Sequence, residues 1–270
     1  MIKACFAAIL LLVCSHTNAQ LGTTPILGAK SLSMGNTGAA AEGIQSIYFG
    51  QAGLSSIDKF AVELSTEQRF TLSDLSLASA ALGLRVGKFG VAGLFISNYG
   101  LDVYREQKIG LSFAKLLSEN ISIGAQWSLN TIRIDEYGST SFIGINIGVI
   151  GHISKKISAG IHISNPMKRV ILIDETTTQL INMGLKYTLS EKVYLISDYR
   201  LLSNYNNSFH FGVDYKIIEP LNLRIGIDTG ASSFHFGMAY NLNKKAAVHG
   251  GFTNHQYLGI TPALSLSYAK

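Results

Sequence analysis

Ten polar residues in the second half of the chain have side chains able to do chemistry: His162, Asp198, Arg200, His210, Asp214, Lys216, Arg224, Asp228, His235 and His249. Several stand two or four apart, as in Asp198/Arg200, His210/Asp214/Lys216 and Arg224/Asp228. On a β-strand that spacing puts them on one face. Mixed charges sharing an inward face suggest a paired network that stiffens a polar interior, or the lining of a binding site or ion path. The four imidazoles fall on separate strands without the short paired gaps of a metal site, so no metal and no cofactor are expected. There is no His-Glu-x-x-His, no phosphate-binding Gly-Lys-Thr loop and no Gly-x-Ser-x-Gly elbow. A hydrolase would need a Ser, a His and an acid brought together by folding alone. The chain is read as a non-enzyme.

The elements that must position these residues are strands. Ile121, Ile123, Ala125, Trp127 and Leu129 alternate with Ser122, Gly124, Gln126, Ser128 and Asn130, and the pattern recurs to the C-terminus. A period of two marks strands with one apolar and one polar face. About fourteen are predicted, each near the length of a tilted membrane strand. They cover 59–69, 74–86, 89–98, 107–115, 121–132, 139–151, 156–164, 178–188, 192–201, 207–216, 221–228, 233–240, 246–252 and 258–268. Connections after even-numbered strands are tight, such as Gly87-Lys88. Most after odd-numbered strands are longer: Gly100–Glu106, Arg133–Gly138, Asn165–Thr177 and Thr253–Tyr257. That phase is the one expected of an outer-membrane barrel with both termini in the periplasm.

The predicted fold is therefore all-β: a transmembrane antiparallel β-barrel, with residues 59–270 forming the wall. Phe209, Phe211, Val213 and Tyr215, and likewise Ile143, Ile145, Ile147 and Val149, make a face wholly apolar or aromatic. A ring of this many strands is too wide for one layer of side chains to fill, so the apolar face is assigned to lipid and the small, polar face to the lumen. Tyr99, Tyr137, Tyr187, Tyr199, Tyr215, Tyr240 and Tyr268 lie near strand ends, where interfacial girdles belong. Pro262 sits inside the last strand and predicts a bulge or an irregular closure there.

Only 14% of the 270 residues are charged, and the mean hydropathy is +0.25. High hydropathy without a helical span after the N-terminus fits a membrane barrel. Lys3 followed by the apolar stretch Ala4–Val13 and the small residues of Thr17-Asn18-Ala19 reads as an export signal over residues 1–19, cleaved before Gln20. Leu11-Leu12-Val13-Cys14 partly imitates a lipidation site, with Val13 too large for it. Both cysteines, Cys5 and Cys14, fall in this signal, so the exported chain has no thiol. The net charge is +5, concentrated in part on the turn lysines Lys88, Lys155, Lys156, Lys192, Lys244 and Lys245. They are read chiefly as solvated turn residues, or else as contacts for anionic head groups or a periplasmic partner. No basic stripe with interleaved aromatics speaks for nucleic acid.

Residues 20–58 are rich in Gly, Ala and Ser and lack alternation. From Gly28 they read Gly-Ala-Lys-Ser-Leu-Ser-Met-Gly-Asn-Thr-Gly, and later Ile47-Tyr48-Phe49-Gly50-Gln51-Ala52-Gly53-Leu54. This resembles the N-terminal motif of the PorV/PorQ family of type IX secretion barrels, within the wider FadL-like superfamily. The usual form there is Gly-Ala-Arg-Ser-Leu-Gly-Met-Gly, then Tyr-Trp-Asn-Pro-Ala-Gly-Leu. Gly28, Met34, Gly35, Asn36, Gly38, Tyr48, Ala52, Gly53 and Leu54 are the plug and motif residues. Phe49-Gly50-Gln51 replaces the family's Trp-Asn-Pro. The resemblance implies a fourteen-stranded barrel whose lumen is occluded by residues 20–58; on their own, the apolar residues Leu32, Met34, Ile44, Ile47 and Leu54 read as anchors of such a plug, too many for the alternative of a flexible lead-in peptide. It further implies an outer-membrane protein in contact with lipid and lipopolysaccharide, assisting export or surface attachment of secreted proteins alongside other secretion-system or surface proteins. The alternative is a FadL-like channel for small hydrophobic solutes. The polar inner face, read as offering no continuous greasy path, favours the first.

Overall fold

The computed structural model describes residues 28–166, 170–172, 175–176, 178–203 and 206–270. The expected export signal and residues 20–27 of the expected plug lie outside them. Fourteen strands form one closed antiparallel barrel. They are β1 (Phe60–Gln68), β2 (Ser76–Val86), β3 (Gly90–Gly100), β4 (Tyr104–Ser118), β5 (Ile121–Ile134), β6 (Gly138–His152), β7 (Ile157–Ser164), β10 (Leu180–Thr188), β11 (Val193–Leu202), β12 (Ser208–Ile218), β13 (Leu221–Asp228), β14 (Ser233–Asn241), β15 (Ala246–His255) and β16 (Gly259–Ala269). The short β8 (Val170–Leu172) and β9 (Glu175–Thr176) pair only with each other, in the connection from β7 to β10. The ring closes where β16 pairs with β1. Lys59 N and Phe60 N both donate to Lys270 O, so the two ends of the wall meet at one rim, called the terminal end below.

The alternation resolves into two faces as expected. Ile147, Val149, Phe209, Phe211, Ile225, Ile227, Leu264 and Leu266 are exposed on the outside of the wall. Asn146, Gln126, Ser128, His210 and Asp214, from the intervening positions, are buried within. A large apolar exterior on a closed ring is a lipid-facing surface, because water would penalise it heavily. Tyr187, Tyr215 and Tyr240 are exposed outward near the terminal end, and Tyr268 stacks on Phe60 beside them at 5.5 Å.

Three expectations need correction. β4, β5 and β6 run 15, 14 and 15 residues and take up part of two connections read as long loops, Gly100–Glu106 and Arg133–Gly138. Tyr104, Arg105 and Glu106 pair with Ile134, Arg133 and Ile132, so polar residues there continue the ladder instead of leaving it. Pro262 produces no register shift against β15, where it faces Phe252. Its missing N–H points towards β1, because Lys270 and Phe60 exchange both backbone bonds and every second residue of β16 shares that direction. The β1–β16 ladder stops at Glu67 and Ala263, one step short of Pro262, so no bond is forfeited. Tyr99 is no girdle residue: it packs inward against the buried apolar cluster.

Candidate functional site

The described N-terminal segment fills the lumen. It comprises helix α1 (Ala29–Ser33), helix α2 (Ser46–Phe49) and a 3-10 turn (Gln51–Ser56). Of its motif residues, Met34, Asn36, Tyr48, Ala52 and Leu54 are all buried. Backbone meets backbone because inward positions of the wall are glycine. Gly35 has φ +70°, and a Cβ there would stand 2.5 Å from Ile227 O and 2.6 Å from Phe211 O. A Cβ on Gly226 would collide with Gly35 N, one on Gly160 with Ala39 O, and one on Gly212 with Met34. Side chains at these places would push the segment off the wall.

Residues 28–41 are seated by polar groups of β10–β16. Gly38 N and Ala39 N donate to Asp198 Oδ2 at 2.7 and 3.1 Å, and Asn182 Nδ2 donates to the same oxygen at 2.8 Å. Arg200 Nη2 donates to Asn36 O at 2.7 Å, with its guanidinium over the Phe49 ring. His210 Nδ1 lies 2.7 Å from Gly35 O. A carbonyl only accepts, so Nδ1 carries the proton and Nε2 accepts from Ser208 Oγ at 2.8 Å. Ala29 N donates to Ser265 Oγ at 2.7 Å. Behind this contact lies a second group. Arg224 Nε donates to Asp214 Oδ2 at 2.6 Å, and its Nη1 donates to His249 Nδ1 at 3.1 Å, which leaves His249 Nε2 to donate to Ser267 Oγ at 2.9 Å. Asp228 Oδ2 stands 3.6 Å from His210 Nδ1, and His235 bonds Ser233 and Thr253.

Of the inward polar residues read from the sequence, Asp198, Arg200 and His210 bond the plug, and Asp214, Arg224, Asp228, His235 and His249 form the wall network around them. Lys216 does not join it; its ammonium turns to Glu219 Oε1 at 2.9 Å, at the terminal rim. His162 is buried on β7 beside Asn182 and bonds neither plug nor wall through its imidazole. Among the described residues no three His, Cys, Asp or Glu side chains converge as a metal site.

Residues 44–57 are seated differently. Ile44, Ile47, Tyr48, Phe49, Leu54 and Ile57 pack against Ala61, Leu77, Ala81, Val91, Phe95 and Ala114 of β1–β4, with Tyr48 edge-on to Phe95 at 5.3 Å. This corrects the expectation of a polar inner face throughout: β2 and β3 turn Leu77, Ala81, Val91 and Phe95 inward, with Ser79 and Ser97 as polar interruptions and Arg85 at the terminal end. The run Val91-Ala92-Gly93-Leu94-Phe95-Ile96 carries the signal, since an uninterrupted apolar run marks a strand buried on both faces. Sequence reading also missed Glu63, buried on β1 and accepting from Gln45 Nε2 at 2.9 Å. It missed the relay in which Ser164 donates to Asn146, Asn146 to Gln126, and Gln126 to Ile47 O.

No protein-family model and no curated protein matches the chain. Solved structures do. The Ralstonia pickettii toluene transporter TbuX aligns with a TM-score of 0.70 at 12% identity, over 92% of this chain and 98% of that one. The Pseudomonas putida toluene transporter TodX aligns at 0.70 and 12%, over 92% and 99%. A Pseudomonas aeruginosa FadL homologue aligns at 0.67 and 11%, over 91% and 98%. The chain is thus similar in fold, over nearly its whole length, to the FadL-like barrels of outer-membrane transporters.

Proposed function

We propose that this protein resides in the bacterial outer membrane, its apolar belt against lipid and lipopolysaccharide, and carries small hydrophobic solutes inward past a seated N-terminal plug. The observation that carries this reading is the apolar sector between the plug and β1–β4. Val91, Phe95 and Tyr99 follow one another along the inner face of β3. Eight residues of strand cover about 26 Å, and about 20 Å of barrel height at the usual tilt. That is most of the hydrocarbon thickness. The contacts of Leu77, Ala81, Val91 and Leu54 there are non-directional, so an apolar solute can replace them without breaking a hydrogen bond, while Lys108 over the Phe95 ring and Arg69 over the Tyr99 ring give the outer part of the sector a polar edge. The fold likeness to toluene transporters and a FadL homologue supports the same class of solute.

The test is uptake of labelled toluene by cells that make the protein, against cells that do not. The comparison variant is Ala81→Trp, which places an indole in the apolar sector without touching the polar wall. Uptake is expected to rise with the protein and to fall about tenfold in the variant, the effect of about 1.4 kcal/mol on a barrier. Equal uptake with and without the protein would end the proposal.

A second reading, a sealed barrel that docks exported proteins, is favoured by the motif resemblance and by the close seat of Gly35 against β12 and β13. Recovery of secretion or surface proteins with the tagged barrel, together with absent toluene uptake, would replace the channel reading with this one.

A further inference from the structure

A cavity of about 480 Å³ opens at the terminal end, among the β6–β7 turn, the end of β10 and the plug. Its size is within the range of small-molecule sites, about 300–1,000 Å³. Three lysines, Lys155, Lys156 and Lys186, and His152 line it against one carboxylate, Glu42 of the plug. The Glu42 carboxyl is already bound there. Lys186 Nζ donates to its Oε2, and His152 Nε2 stands 3.8 Å from its Oε1. The two receiving groups are fixed in place. Lys186 Nζ lies over the Tyr194 ring at 5.5 Å, and His152 Nδ1 is bonded to Ser158 Oγ at 2.9 Å. Lys155 and Lys156 form no ion pair with any described residue. The cavity therefore holds one carboxyl group and has positive charge for a further anion.

We infer that this cavity is a binding site for a phosphate-bearing anion, whose occupant competes with Glu42 for Lys186. A phosphate ester offers several acceptor oxygens to point-like ammonium groups approaching from different sides, which a single carboxylate does not. Glu42 stands between the limb 28–41, seated on the polar wall, and Gly43, whose φ is +87° and whose N donates to Gly53 O at 3.1 Å. An anion that takes Lys186 releases the plug at the bend between its two differently seated limbs. The cavity opens on the rim where membrane head groups and free phosphates can both reach it. The inference does not depend on which solute crosses the barrel.

The experiment is titration of the full-length exported protein in micelles of an uncharged detergent, followed by calorimetry and phosphorus NMR. One probe is inorganic pyrophosphate and the other is dihexanoyl phosphatidylglycerol below its micelle concentration. Either probe should bind, and the one that binds more tightly identifies the source as free phosphate or lipid head group. Lys186→Met, and Lys155→Ala with Lys156→Ala, should each weaken binding about tenfold, a loss of about 1.4 kcal/mol. Glu42→Gln should tighten it severalfold by removing the internal competitor. The outer wall is unchanged in all variants, and heat-modifiable gel migration checks the barrel. Failure of both probes to bind, affinity unaltered by the lysine variants, or weaker binding in Glu42→Gln would each overturn the inference. None of these outcomes bears on toluene uptake, so the site and the channel stand or fall separately.

Discussion

The two sides of the lumen hold one plug by different balances of bonding and apolar contact. Towards β10–β16, residues 28–41 are pinned by directional bonds: Asp198 to Gly38 and Ala39, Arg200 to Asn36, His210 to Gly35. Towards β1–β4, residues 44–57 rest chiefly on Leu77, Ala81, Val91 and Phe95 through apolar contact, with polar bonds at the edges of that patch: Gln45 to Glu63, and Arg85 to Ser55 O and Ile57 O. A buried hydrogen bond tolerates little displacement, because the freed donor or acceptor must then go without a partner. Apolar contact imposes no such register. The polar side therefore sets where the plug sits, and the apolar side is where something else can be admitted.

The sharpest way to break this contrast is to remove the close approach on the polar side. Gly226→Val places side-chain atoms where Gly35 N now lies, and the obstacle is backbone that cannot step aside. The expected result is a barrel that still shows heat-modifiable migration while residues 28–41 become open to protease. Protection equal to that of the unaltered protein would show that the seat does not need the glycine. Next in size is Asp198→Ala. It strips three buried donors of their shared acceptor, at roughly 1–3 kcal/mol for each donor left unpaired. Hydrogen exchange at the amides of Gly38 and Ala39 should accelerate sharply.

On the other side, Leu54→Ala removes a fully buried anchor and should cost about 2–5 kcal/mol. Exchange should quicken at residues 44–57 and not at Gly38 or Ala39, and toluene uptake should change here but not in Asp198→Ala. If both variants loosen the whole plug equally, it is one cooperative unit and the division fails.

Much of this was legible in the chain because period-two patterning reports faces directly. Each predicted strand is found within a few residues of its predicted bounds, and His210, Asp214, Arg224 and Asp228 turn inward as their alternation required. Two things were not legible. Alternation assigns a residue to a face but does not say what fills the space before it. The inward glycines Gly124, Gly160, Gly212 and Gly226 therefore looked like ordinary small residues until the plug backbone was seen against them. Nor does alternation mark a strand apolar on both sides. In Val91–Ile96 the breakdown of the pattern was itself the message that this sector of the lumen is greasy. The hydrogen-bond partners across the plug join residues 160 positions apart, as between Gly38 and Asp198, and no local spacing encodes that.

The smallest expected effect tests whether inward charge matters by position or merely by presence. Lys216 belongs to β12, as His210 and Asp214 do, but its ammonium bonds Glu219 in the turn that follows and touches no part of the plug. That hydrogen bond, with the lysine charge behind it, holds the Glu219 carboxyl below its ordinary range. A depressed carboxyl contributes stability that is present above its unfolded pKa and is lost as pH falls through the folded value. The group is fully open to solvent, so the contribution is screened to near nothing. Lys216→Ala should return the Glu219 titration to the usual glutamate range, seen by carboxyl NMR, while plug exchange, gel migration and uptake stay as they were. If the plug loosened in this variant, the polar side would act as a diffuse field of charge rather than through its bonds to Gly35, Asn36, Gly38 and Ala39, and the contrast between the two halves of the lumen would have to be redrawn in electrostatic terms.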